Sequence, residues 1–193
     1  AYEQGVNRSY LINRILADHL SLTTPEMRMR SILDAANRWL EQSEGFRRLA
    51  LQSDSAMAAQ SALQFQYNPV VNYQVRLFRG QRAGGQFRLA ARTQNAGLSR
   101  LLQAFFRAFM HTERQLLPFS PEYLVKEHTL TRQLRLEEAS FASEQALGEA
   151  IGAYVQLADR CLKAYCALAD LPGPAGDQLA ALYQGHLQTH PVL

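Results

Sequence analysis

A chain of 193 residues with 47% apolar content carries enough hydrophobic side chains for one domain of ordinary size and is too apolar for disorder. No run of about 18 apolar residues could span a bilayer, and no basic-then-apolar leader opens the chain. Both points argue against a membrane segment and against secretion, toward a cytoplasmic protein. Net charge is only +3, yet lysine occurs just at Lys126 and Lys163, so the remaining basic residues are arginine. Its planar donor fork suits phosphate and guanine, although GC-rich coding produces the same bias.

In chain order, Ala1–Gln4 reads as the last turn of a helix already in progress, with Gly5 as its left-handed stop. The chain is therefore expected to begin inside a longer protein. Asn7 caps a helix to about Ser21, with Tyr10, Leu11, Ile15 and Leu16 on one stripe. Thr24 caps the next, with Pro25 at its first position and Glu26 favouring the positive helix start. Its apolar stripe (Met29, Ile32, Leu33, Ala36, Trp39, Leu40) predicts a helix to about Ala50, interrupted at Gly45. An alanine-rich third helix is predicted over Asp54–Gln66 and is ended by Asn68-Pro69.

The pattern then changes to period two. In Val70–Arg79, Val71, Tyr73, Val75 and Leu77 alternate with Asn72, Gln74 and Arg76. In Gln86–Gln94, Phe87, Leu89 and Ala91 alternate with Arg88, Ala90 and Arg92. With the glycine-rich turn Gly80–Gly85 between them, these arms read as one β-hairpin. Helical spacing returns over Asn95–Gln115, where Leu98, Leu101, Leu102, Phe105, Phe106, Phe109 and Met110 mark a core helix. Ser120 and Pro121 start a short helix, an amphipathic piece follows near Leu130–Glu138, and Ser143–Leu171 reads as a long helix. Pro172-Gly173-Pro174 breaks the chain before a final helix over Asp177–His190. The expected fold is mainly α, a multi-helix bundle with one antiparallel β-hairpin at about 70–94.

Gly5-Val6-Asn7-Arg8-Ser9-Tyr10-Leu11-Ile12-Asn13-Arg14-Ile15-Leu16 resembles the junction between the two helices of ribbon-helix-helix DNA-binding proteins of the CopG/Arc type. The resemblance covers about residues 1–20. It implies that backbone N–H groups around Asn7, Arg8 and Ser9 anchor a DNA phosphate. The family's base-reading strand would lie about 15 residues before Gly5, where this chain has none. The resulting division is 1–22 as a remnant of a ribbon-helix-helix unit and 23–193 as a helical domain carrying the hairpin.

The hairpin makes a second, independent case for DNA. A two-stranded ribbon fits the major groove, where Asn, Gln and Arg read base edges. Asn72, Gln74, Arg76, Arg88 and Arg92 supply such a face, with Arg79 and Arg82 near the turn for phosphates. The same alternation also follows if the polar face simply meets water.

Catalytic and metal patterns are missing. His186 and His190 share a helical face without an HExxH frame, and Cys161 and Cys166 have no zinc-ligand spacing. Gly80–Gly85 lacks the GK[ST] ending of a phosphate loop, and Ser99 lacks nucleophile-elbow glycines. The expectation is a non-enzymatic DNA-binding regulator or accessory factor of a plasmid or mobile element, homo-oligomeric, without cofactor or metal. The alternative is a helical protein–protein adaptor or assembly subunit.

Overall fold

The computed structural model describes residues 24–51, 53–65, 67–79, 84–136, 141–168 and 172–193. The expected junction with Asn7, Arg8 and Ser9, the whole 1–22 unit, and Arg82 in the hairpin turn lie outside the described residues.

Helix α1 is Pro25–Glu41, and the Thr24 hydroxyl accepts from the Met27 N–H at 3.2 Å as its cap. Strands β1 (Phe46–Leu49), β2 (Ala56–Ala62), β3 (Val70–Phe78) and β4 (Gly84–Ala91) follow. Helix α2 (Ala96–Leu116) is capped by Asn95, and a second hairpin of β5 (Tyr123–Lys126) and β6 (Thr129–Arg135) comes next. Helix α3 (Glu144–Ala167), capped by Ser143, and helix α4 (Pro172–Leu187) complete the chain. The strands form one antiparallel sheet in the order β1-β2-β3-β4-β6-β5.

The expected mainly α helical bundle with a single hairpin is therefore wrong. The fold mixes α and β, and the predicted hairpin is the centre of a six-stranded sheet. Each misreading has a local cause. Gly45 adopts φ +88°, a left-handed turn that ends α1 at Glu41 and sends 46–49 into a strand. The alanine-rich stretch predicted as a helix is β2. There Met57, Ala59 and Ser61 face the core while Ala58 and Gln60 pair with Gln74 and Asn72 on the other side. With small residues in both registers the period is invisible, and pairing overrides alanine's helix propensity. In β6 a buried arginine sits between Leu130 and Leu134, a spacing that suits a helix as well as a strand. No helix starts at Pro121; β5 begins two residues later.

The alternation of the central strands holds: Val71, Tyr73, Val75, Leu77, Phe87, Leu89 and Ala91 are buried. They meet Leu98, Leu102, Phe105, Phe106 and Phe109 of α2 and Ile151, Tyr154, Val155 and Leu162 of α3 in one core. The helices thus cover one face of the sheet. Among the described residues no helix is long and apolar enough to cross a membrane.

Close helix contact is set by glycine. A Cβ on Gly148 of α3 would fall 2.5 Å from the Ala35 Cβ of α1 and still nearer the Ile32 carbonyl oxygen. On Gly152 it would fall 2.8 Å from the Trp39 Cβ. Only hydrogen at these positions lets α3 lie against Ala35 and Ala36. Gly148→Ala should therefore cost about 3 kcal/mol in urea unfolding, since backbone cannot yield as a side-chain tip can. Gly185→Ala, with nothing within 4 Å, should be neutral or gain up to about 1 kcal/mol from helix propensity.

Candidate functional site

On the side away from the helices, register brings small and polar side chains into rows. One row runs Arg47, Gln60, Asn72, Ala90, Thr129 and Lys126 across the six strands, and the next runs Leu49, Ala58, Gln74, Arg88, Thr131 and Leu124. Alanine at 58 and 90 leaves the middle low, and the face encloses a groove of about 1090 Å³. Gln60 Nε2 donates to Asn72 Oδ1 at 2.7 Å, a cross-strand amide pair that leaves each side chain a further polar atom for a ligand. Arg88, Arg92 and Lys126 line the groove against one carboxylate, Glu127. Leu49, Leu51 and Val70 add apolar surface to the lining. The far wall is fixed where the Ala91 N–H donates to the His128 carbonyl at 3.1 Å and His128 Nε2 lies 2.8 Å from Ser99 Oγ.

Five of the predicted positions share this face: Asn72, Gln74 and Arg88 by register, Arg92 on the lining, and Arg76, exposed, beside Gln86. Arg79 does not join them, because it forms an ion pair at 2.7 Å with Glu26 in the first turn of α1. Gln60, Lys126, His128 and Thr129 were not predicted. Gln60 was hidden by the helical reading of β2, and the others belong to a hairpin whose first strand is four residues long and whose second carries an arginine at its central core position.

Major-groove insertion does not survive this architecture. β3 is paired on both sides, by β2 and β4, and β4 in turn by β6. Six strands span roughly 24 Å, whereas the major groove is about 12 Å wide and admits two.

A second cluster of ionisable groups lies inside the protein. The Glu113 carboxylate of α2, wholly buried, accepts hydrogen bonds from the hydroxyls of Tyr123, Tyr154 and Tyr183, the last two at 2.9 and 2.5 Å. Arg132 of β6, 1% exposed, sets Nε 3.2 Å from Glu113 Oε2, while Nη2 donates to the Leu193 carbonyl at 2.5 Å. That Nε contact is a charge pair without hydrogen-bond alignment, and the guanidinium carbon lies 4.8 Å from the Tyr154 ring centre. Burial, and then the neighbouring Glu113 charge, hold the Tyr123 and Tyr183 hydroxyls well above the usual tyrosine range, so both stay donors. Burial does the same to Tyr154 although Arg132 pulls the other way. Asp159 of α3 repeats the device on a smaller scale, accepting from Ser61 and from Tyr73 at 2.9 Å and pairing with Lys163 at 2.7 Å. Both clusters join elements of the fold, and in the first the buried Arg132 Nη1, like Nε, makes no hydrogen bond among the described residues.

The histidine pair at the end of α4 is also accounted for by packing. The His186 and His190 rings stack at 4.6 Å, Trp39 meets His190 edge-on, and burial pushes His186 down to about 4. Among the described residues no three His, Cys, Asp or Glu side chains converge as a metal site. Cys161 and Cys166 are free thiols pushed up to about 12 by burial, too high for reactive thiolates. Comparison with protein-family models, curated proteins and solved structures gave no match.

Removing the Glu113 charge should expose the cost of the buried arginine. Glu113→Gln is expected to lose about 3–5 kcal/mol in denaturant unfolding. The double variant Glu113→Gln/Arg132→Met should lose clearly less than the sum of the two single changes.

Proposed function

We propose that the protein is a non-catalytic nucleic-acid-binding protein that lays the phosphate backbone across the open face of its sheet. The observation that carries this reading is the groove on the sheet face that no described helix covers, with Arg88, Arg92 and Lys126 against Glu127, the one carboxylate among its described lining residues. Guanidinium and ammonium groups match phosphate charge, and the Gln60, Asn72 and Gln74 amides can bond to sugar or base edges. Among the described residues the groove has no aromatic platform other than Tyr73, whose ring is buried, so base stacking from them contributes little. Contact is chiefly to the backbone, with weak sequence preference. A regulator or accessory protein in the reducing cytoplasm is consistent with two free cysteines. Assembly as a homo-oligomer belongs to this reading, supported by exposed Leu124 and Val125 on the edge strand β5.

One observation favours the adaptor alternative. The alanine floor and the apolar residues Leu49, Leu51 and Val70 also suit an extended, acidic polypeptide from a protein partner.

Fluorescence anisotropy with a labelled duplex and a labelled single strand tests the first reading. If three cations contact phosphates, affinity should fall about 40-fold between about 50 and 200 mM salt. Arg88→Ala, Arg92→Ala and Lys126→Ala should each lower the salt slope by about one. Salt-insensitive binding, or unchanged affinity in the triple variant, rejects it. Retention of a polyglutamate peptide with no affinity for either oligonucleotide supports the adaptor reading instead.

A further inference from the structure

Beyond β5 the sheet has no further described strand, so this edge is open. Its apolar side chains Leu124 and Val125 are 56% and 42% exposed. The Gln133 N–H donates to the Glu122 carbonyl at 3.0 Å, which extends the β5–β6 ladder by one residue and fixes its parity. Residues 122, 124 and 126 turn their backbone toward β6, so Tyr123 and Val125 turn theirs to the open edge. Side chains alternate in the same step. Glu122, Leu124 and Lys126 stand on the groove face, which Lys126 lines, while the Tyr123 hydroxyl reaches Glu113 on the helix side.

This edge fits a second copy of the same strand. When two β5 strands pair antiparallel about a two-fold axis at Leu124, Tyr123 meets Val125 of the second copy as a hydrogen-bonded pair, and each such pair exchanges two bonds. Leu124 meets its own copy as a close, non-hydrogen-bonded pair. Glu122 falls opposite Lys126 of the second copy, on both sides of the axis. Both side chains are exposed, and neither forms an ion pair with a described residue of its own chain. A strand whose opposite charges stand equally far from its middle is complementary to itself. Moving the axis to Val125 keeps the backbone parity but sets Lys126 against Leu124 and takes Glu122 away from it. The other edge of the sheet lacks this property. β1 reads Phe46-Arg47-Arg48-Leu49, and an axis at either arginine sets a cation against its own copy.

We infer that the protein forms a two-fold dimer through β5–β5 pairing, with Leu124 on the axis and Glu122 against Lys126 setting the register. Opposed residues of an antiparallel pair share a face, so the two sheets join as one and their open faces lie on the same side. Arg88 and Arg92 of both copies then belong to a single surface. The inference rests on the homo-oligomeric part of the reading above and holds whatever that surface binds. The contact is one short strand from each copy, so the dimer belongs to the weak, concentration-dependent class.

Sedimentation velocity of the full chain without nucleic acid, from about 5 to about 200 µM, should show monomer passing to dimer. Lys126→Glu alone and Glu122→Lys alone should each dimerise about tenfold more weakly, because both charge pairs become repulsive. Mixed in equal amounts, the two variants should associate at least as well as the parent chain, since every Glu then meets a Lys. With oxidised glutathione as oxidant, Leu124→Cys should cross-link to a covalent dimer, its Cα atoms lying about 4.5 Å apart across the axis. Val125→Cys, at a diagonal of about 7–8 Å, should not. A chain that stays monomeric throughout overturns the inference, even if it binds oligonucleotides. So does a dimer indifferent to both charge reversals, a mixture no tighter than its components, or equal cross-linking at 124 and 125. A dimer with the expected properties that ignores oligonucleotides upholds the inference and rejects the nucleic-acid reading alone.

Discussion

The carboxylate of Glu113 is the point on which the architecture turns. One buried side chain from α2 takes hydroxyls from β5, α3 and α4 and the charge of an arginine from β6. A lone buried charge is expensive, so once Glu113 is inside, each partner must be inside too. That requirement ties three helices to the β5–β6 end of the sheet and draws the Leu193 carbonyl into the same network through Arg132. At the other end Asp159 binds α3 to Ser61 of β2 and Tyr73 of β3. Hydrophobic packing supplies the bulk of the cohesion between these polar pins. The pins supply geometry, because each bond is satisfied in one arrangement of the layers.

With the four described helices held on one side, the other side of the sheet has nothing from the described chain to cover it. Its composition agrees: alanine and threonine leave depth, while amides and cations occupy the remaining positions. The same register that buries Val71, Tyr73 and Val75 sets Asn72 and Gln74 outward, so core and groove are two consequences of one alternation. The glycines of α3 act at a third level. They let α1 lie close against α3.

Much of this was legible in the residues, and the failures share a cause. The cap at Thr24 and the helical spacing that begins near Asn95 and Ser143 place three helix starts, because capping oxygens and apolar stripes act locally. Alternation in β3 and β4 stands out since large apolar and polar residues take opposite faces. β2 could not be read this way, because beside Met57 its inward positions hold only Ala59 and Ser61, while alanine also stands at the outward Ala58. β6 misled because its central core position is Arg132, a residue whose burial makes sense only once Glu113 is opposite it. The outward face was found from the hairpin alone, but its role changed. An Asn/Gln/Arg ribbon flanked by further strands cannot enter a groove as a two-stranded ribbon, and it forms the middle of a broad sheet surface. Gln60, Lys126 and His128 become visible only through strand pairing, which no local pattern encodes.

Backbone amide shift mapping by NMR tests the central claim, that the sheet's open face is the binding surface. On titration with a short DNA duplex, and separately with a single strand, perturbations should cluster at Gln60, Asn72, Gln74, Arg88 and Thr129, with little change along α3. Shifts concentrated on the helices, with those strand amides unmoved at saturating oligonucleotide, would contradict it.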